Sequence, residues 1–271
     1  MRRAALGARR ALRALVLACV PGAVMAQQPA ESYAQRYTEV TNLAPTTGRV
    51  AAVSGFVLAR DRARFTLESG SLYLLTPVGG RTVAALFKGK GRFALTPPTA
   101  IERARLRRFS GTDSLLTDFD ELVLIFADST ADELERRLSF GQGDVPSSAA
   151  PIRRAIDYRG DEKQQYLEPD LMEVMLNGEG SDMFYAHLSG GSGDPWMFSV
   201  NPWLVEGVQL SRRAQGTAFT RYAEVAAQFP RLNAPAARPL GGDRIRQATI
   251  SHYAIETHLP RTGAGNVKAG A

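Results

Sequence analysis

The sequence predicts an α+β protein, mainly antiparallel β sheet of the meander or sandwich-like kind, with a few peripheral helices. Residues 48–97 contain five short segments rich in β-branched, aromatic and leucine residues. Gly-Ser, Gly-Gly and Gly-Lys-Gly sequences separate several of them, as in a chain of hairpins. Phe65 and Leu67 alternate with polar neighbours, which is typical of a half-buried strand. Phe93 and Leu95 repeat this pattern.

The first 26 residues are predicted to be a cleavable export signal. Five arginines precede the apolar run 14–20, and no acidic residue occurs before Glu31. Val24 and Ala26 fit the small-residue cleavage pattern. The run is too short to span a membrane stably. We therefore expect an exported, periplasmic or extracellular protein with no transmembrane span after cleavage.

Two other interpretations of this segment stay open. An arginine-rich, acid-free N-terminus also resembles a mitochondrial transit peptide, although the apolar run argues against that reading. Cys19 could be a lipoprotein cleavage site, for which Leu17 is a poor fit. A twin-arginine signal would need more than the Arg2-Arg3 pair.

Cleavage after Ala26 would change the charge balance of the chain. The whole sequence has 33 basic and 27 acidic residues, and the predicted signal holds five of the former and none of the latter. The remaining 28 against 27 are nearly neutral, so we expect no nucleic-acid partner. Cys19 is the only cysteine, so no disulfide is expected in the mature chain.

Residues 27–140 are predicted to form a β-rich subdomain with two short helices. After a weakly helical segment at 31–43 and the meander, residues 99–111 have a threonine cap, a glutamate three residues on and a terminal glycine. Residues 121–128 read as a buried strand. A second helix follows Ser129, with acids in its first turn and arginines in its last.

Two linkers divide the rest of the chain. Residues 141–151 are the clearer one, and 152–233 are predicted to be a helix plus β-hairpin subdomain. Residues 234–243 form the second linker. Residues 244–271 read as one long strand, the opening strand of a truncated next domain, followed by a small, polar and mobile tail.

Catalytic and metal-binding motifs do not occur in recognisable form. There is no HExxH, and His252, Glu256 and His258 share one face of a strand but span about 20 Å, too far for one ion. We interpret them as the solvent-facing side of a strand, and His187 as structural. Ser192 lacks a nucleophile-elbow setting, and Gly89-Lys90 lacks the spacing of a phosphate loop.

Two clusters carry alternative functions. The first is a set of four acids: Asp113, Asp118, Asp120 and Glu121. Paired carboxylates can serve a glycosidase or another hydrolase, although a solvated loop before a strand is the simpler interpretation of this set. Trp196, Phe198 and Trp203 flank two prolines and, if exposed, would form a ligand or partner face of a binding module. Core packing is the competing interpretation of these aromatic residues.

Two stretches of the chain resemble a known family. Residues 65–111, FTLESGSLYLLTPVGGRTVAALFKGKGRFALTPPTAIERARLRRFSG, resemble the N-terminal extension of some secreted bacterial relatives of aminopeptidase N, which are gluzincin zinc metallopeptidases. Residues 244–260, RIRQATISHYAIETHLP, look like the opening strand of the β-rich N-terminal domain of that fold.

The resemblance implies an accessory part and not a catalytic one. The family's HExxH helix and its Gly-Ala-Met-Glu-Asn-type loop are absent, so no catalytic residue or zinc ligand carries over to this sequence. Zinc is expected only in a full-length relative. We therefore expect an exported, non-catalytic region with a structural role, possible partners being a peptidase catalytic domain or another protein.

Overall fold

The strand-rich segments predicted before residue 97 form the first three strands of one antiparallel sheet. The computed structural model describes residues 33–159, 167–177, 180–190, 194–214, 222–233, 254–258 and 266–270. Its elements in chain order are α1 (Tyr33–Thr41), β1 (Pro45–Arg60), β2 (Ala63–Leu75), β3 (Ala84–Leu95), α2 (Ala100–Ser110), β4 (Leu115–Phe126), α3 (Thr130–Arg137), α4 (Ala150–Arg159), α5 (Leu167–Asn177), β5 (Phe184–Ser189), β6 (Trp196–Val200), β7 (Val208–Ala214), β8 (Tyr222–Phe229), β9 (Ala254–His258) and β10 (Asn266–Gly270).

The sheet is a meander. β1 to β8 lie side by side in sequence order, and each pair of neighbours is antiparallel. β9 and β10 form a separate two-stranded pair. The prediction of a mainly antiparallel β protein with a few helices is confirmed at this level. No helix in the described part of the chain is long and apolar enough to cross a membrane.

The sheet curls around a phenylalanine-rich core. The ring centroids of Phe65 on β2 and Phe198 on β6 are 5.9 Å apart. Strands spaced about 4.8 Å apart would hold these positions about 19 Å apart in a flat sheet. The sheet is therefore strongly curved toward this core. Leu106 of α2 and Leu134 of α3 are buried in the same apolar cluster.

The opposite face of the sheet carries a second apolar cluster. Val123 of β4 and Tyr185 of β5 are buried there. Three helices cover this cluster, and the buried side chains that they contribute include Val40 of α1, Ile152 of α4 and Leu171 of α5. The sheet is therefore buried on both faces where the helices lie. Elsewhere its outer face carries exposed charged side chains such as Arg92 and Asp118.

Two of the predicted glycine turns are wrong. β2 runs through Gly70 and β3 runs through Gly89, and the two glycines face each other in the sheet. Their φ angles are 151° and 152°. A Cβ at Gly70 would lie 2.7 Å from the Cα of Gly89, so both positions need glycine for close backbone approach. The predicted Gly-Gly turn does connect β2 to β3, with φ of 53° at Gly79.

The predicted linker at 141–151 begins by covering a sheet edge. Val50 on β1 exchanges two backbone hydrogen bonds with Gly141, of 3.1 and 2.9 Å, and the Gly143 N–H donates to the Thr47 carbonyl at 2.9 Å. β4 precedes this segment in the chain and β5 follows it, and the two strands pair with each other in the same sheet. The segment therefore does not separate two sheets, and it shields part of an edge strand that would otherwise present unpaired groups.

The two helix starts predicted from local sequence differ in how they are capped. At α2 the Thr99 hydroxyl accepts from the Glu102 N–H, and Gly111 ends the helix with φ of 75°, as predicted. At α3 Ser129 makes no side-chain cap. The Asp128 carboxylate takes that role, because its Oδ1 accepts the Thr130 N–H at 2.9 Å.

The predicted export signal and the linker at 234–243 lie outside the described residues. The predicted final strand is described only at β9, which pairs with β10 in the segment predicted as a tail.

Candidate functional site

A polar cleft of about 1060 Å³ opens at one end of the curled sheet. Its walls come from six separate parts of the chain: the β1–β2 turn, the loop before β3, the β4–α3 connection with α3, the approach to β5 with its first residue, the end of β6, and the segment after β8. The side chains of Phe184 and Val200, both buried, form part of its lining. A cleft with a partly apolar lining and charged walls is the best candidate site in the described part of the chain.

Carboxylates outnumber cations in the cleft. It is lined by three guanidinium groups, those of Arg60, Arg81 and Arg231. It is also lined by five carboxylates: Asp61, Asp128, Asp132, Glu135 and Asp182. Arg49 pairs with Glu135 from outside the cleft, so one negative charge is left in excess, and the field inside the cleft favours cationic groups.

Arg60 is fully engaged by the protein. Its Nε lies 2.7 Å from Asp128 Oδ2 and its Nη1 lies 2.9 Å from Glu133 Oε2. Its Nη2 donates to Thr130 Oγ1 at 2.6 Å, and its guanidinium stands 5.5 Å from the centroid of the Phe184 ring. Arg60 therefore ties the end of β1 to the start of α3 and has little capacity left for a ligand.

The other four carboxylates of the cleft differ in their hydrogen-bond and ion-pair partners. Asp182 pairs with Arg231 at 3.0 Å, and Glu135 pairs with Arg49 at 2.7 Å from outside the cleft. Asp61 Oδ2 accepts the Leu232 N–H at 2.7 Å. Asp132 makes no ion pair or hydrogen bond within the described part of the chain. Asp132 therefore has both carboxylate oxygens available to a donor.

Exposed aliphatic side chains stand on and beside this cleft. Leu232 lines it and is 52% exposed, and Leu204 and Val205 project from the β6–β7 loop at 40% and 67% exposure. A Cβ on Gly207 in that loop would lie 3.3 Å from Arg231 Cγ, so the loop packs against a cleft residue. Neighbouring exposed aliphatic side chains are a common mark of a protein-binding surface.

A buried asparagine holds the β6–β7 loop. The Asn201 side chain donates to Asp170 Oδ2 at 2.5 Å and accepts the Trp203 N–H at 2.9 Å, while its own N–H donates to the Gly207 carbonyl at 2.7 Å. Burial raises the pKa of Asp170, and the hydrogen bond from Asn201 opposes that rise. The loop is therefore fixed to the first turn of α5.

The three predicted ligand-face aromatics lie in two different core clusters. Phe198 is fully buried and Trp196 is 8% exposed, both in the concave cluster. Trp203 is partly buried against the cluster on the opposite face. That these side chains bind a ligand stays a prediction, but they do not line one surface.

The four predicted carboxylates lie on or just before β4, and most are engaged by basic side chains. Asp113 pairs with an arginine of α2, and Asp118 lies 2.8 Å from Arg92. Glu121 lies 3.1 Å from Lys88 and 2.7 Å from Arg154. The loop predicted for these acids is wrong from residue 115 onward, because Asp118, Asp120 and Glu121 belong to the strand itself.

Two of the three histidines lie on described strands. His187 is buried on β5, and Glu256 and His258 lie on β9, while His252 lies outside the described residues. Among the residues that the structure describes, no group of three His, Cys, Asp or Glu is placed to hold a metal ion. None of the cleft residues was predicted as a site, because six separate segments supply them and no local motif marks them.

No family model, curated protein or solved structure matches this chain.

Proposed function

We propose that this chain is an exported, non-catalytic region related to secreted aminopeptidase N-like zinc metallopeptidases, with a structural role in docking onto a catalytic domain. The relationship rests on the resemblance of residues 65–111 to the N-terminal extension of those enzymes. Zinc would belong to the catalytic partner, because the HExxH motif does not occur in this sequence.

The engagement of the candidate catalytic acids is the observation that favours an accessory role. Glu121, the most enclosed of them, sits between Lys88 and Arg154, and Asp118 is held by Arg92 on the outer face of the sheet. Both carboxylates are therefore engaged by basic side chains of this chain, which suits a role in holding the sheet and α4 together. A break in the strand register separates Asp118 from Glu121, so both lie on the outer face of the sheet, each in its own ion pairs.

A cleavage assay tests the non-catalytic part of the proposal. The purified chain is incubated with aminoacyl-anilide substrates and zinc, beside an active aminopeptidase as a positive control. We expect no turnover above the buffer. Hydrolysis that depends on zinc and disappears with a chelator would overturn the proposal.

A binding assay tests the docking part. The chain is mixed with the catalytic domain of a secreted aminopeptidase N-like enzyme, and complex formation is followed by sedimentation velocity. We expect a one-to-one complex, and serum albumin serves as a control for unspecific association. If the chain sediments alone at its highest soluble concentration, the docking role is wrong.

A further inference from the structure

We propose that the polar cleft and its aliphatic rim form a docking surface for a basic polypeptide segment of a partner protein. This inference rests on the docking role proposed above and names the surface that performs it. Two independent observations support it, the excess of carboxylates inside the cleft and the exposed aliphatic side chains of Leu232 and of the loop that packs against Arg231.

The charge of the cleft selects the sign of the partner. Every arginine contact described for Arg60 and Arg231 is made with a group of this chain. Arg81, the third guanidinium of the cleft, also has an interaction of its own, so a partner carboxylate would have to displace an existing contact. A partner lysine or arginine finds Asp132 without any partner in the described chain, and the exposed carboxylate of Asp182 can take a second donor.

The aliphatic rim makes a polypeptide a better occupant than a free amine. Leu232 stands at the cleft and the loop carrying Leu204 and Val205 packs against Arg231. A small cation would use only the carboxylates and would leave these side chains in water. A segment with alternating basic and aliphatic residues uses both, with charge setting orientation and apolar burial adding affinity.

The test uses two labelled peptides of equal length, one of Gly-Leu-Lys repeats and one of Gly-Leu-Glu repeats, with fluorescence anisotropy as the readout. We expect the lysine peptide to bind and the glutamate peptide not to bind. Added salt should weaken binding, because the Debye length falls to about 3 Å at 1 M salt. Equal binding of the two peptides, or no binding of either, would overturn the proposal.

Two variants test whether the lysine peptide binds in the cleft. Asp132→Asn should weaken the lysine peptide about twofold to fivefold, the effect of one partly exposed ion pair. Leu232→Ser should weaken it about fivefold through lost apolar burial. Both positions face solvent, so both variants are expected to fold, and an unchanged unfolding midpoint checks this.

Asp118→Asn is the matched control. It removes the same charge from the outer face of the sheet, outside the cleft, and should leave peptide binding unchanged. If it weakens binding as much as Asp132→Asn does, the attraction is general charge and the cleft is not the site.

The two proposals fail in different ways. If the catalytic domain binds the chain and Asp132→Asn and Leu232→Ser leave that affinity unchanged, docking stands and the cleft proposal fails. If the lysine peptide binds in the cleft and the catalytic domain does not bind, the cleft proposal stands and the peptidase partner is wrong.

Discussion

Arg60 holds two elements together, and replacing it with alanine should destabilise the fold. Its guanidinium joins Asp128 and Glu133 on the α3 side to the end of β1. The side chains of Arg60 and Asp128 are each 14% exposed, and that of Glu133 is 20% exposed. The Arg60→Ala variant leaves two neighbouring carboxylates largely out of water without this shared counter-charge.

The expected loss follows from that geometry. Removing one partner of a buried ion pair costs about 3–5 kcal/mol. The low end applies here, because the groups keep some contact with water and Arg137 still pairs with Glu133. We therefore expect about 3 kcal/mol of unfolding free energy to be lost. For a domain of roughly 200 residues this lowers Tm by about 6–12 °C.

Urea unfolding, followed by circular dichroism and analysed by linear extrapolation, measures the effect. Arg92→Ala is the control, because its ion pair with Asp118 is exposed on the outer face and should contribute at most about 1 kcal/mol. Adding Asp128→Asn to Arg60→Ala should recover part of the loss, since asparagine removes one uncompensated charge and can still cap α3.

Two results would refute this reasoning. The first is an Arg60→Ala variant whose unfolding free energy lies within about 1 kcal/mol of that of the wild type. The second is a double variant with Asp128→Asn that is less stable than Arg60→Ala alone.

Three further predictions follow from the described contacts. Gly70→Ala should lower the unfolding free energy by more than about 1 kcal/mol, because its Cβ would overlap the Lys88 carbonyl and approach Gly89. Gly80→Ala is the control, because Gly80 also has a positive φ but a Cβ there would meet open space, so this variant should cost less. Equal urea midpoints for the two variants would contradict this. Phe198→Ala should cost about 3–5 kcal/mol because the ring packs at the centre of the concave core, and a near-native midpoint would show that the sheet does not curl around it. Because burial raises the pKa of Asp170, the folded state holds its proton more tightly than the unfolded state does. Relative to Asp170→Asn, the wild type should therefore lose stability as pH rises from about 3.9 through the folded pKa, and a difference that does not vary with pH would contradict the assignment.

The sequence predicted an element well where the residues that define it lie close together in the chain. Thr99 accepts the N–H of Glu102, three residues on, and Gly111 donates its N–H to the carbonyl of Arg107, four residues back, so local sequence predicts both ends of that helix. The alternation at Phe65 and Leu67 likewise predicts which side chains face the core, because successive side chains of a strand point to opposite faces.

Other elements depend on partners that are distant in sequence. β8 was not predicted, because its sequence YAEVAAQF is rich in alanine and carries glutamate and glutamine. It is a strand because β7 supplies its backbone partners. Gly70 and Gly89 look like turn residues for a similar reason, since nothing within either segment reveals that the other glycine will lie opposite it.

The sequence by itself determined the antiparallel β character, the caps of α2 and the alternation of buried and exposed side chains, because each of these depends on residues a few positions apart. Only the tertiary structure decided how far the sheet curls, which acids are neutralised, and which six segments meet in the cleft. Those features depend on pairings between residues up to 171 positions apart, as between Asp61 and Leu232. The hydrophobic periodicity of a single strand or helix does not reveal such a distant partner.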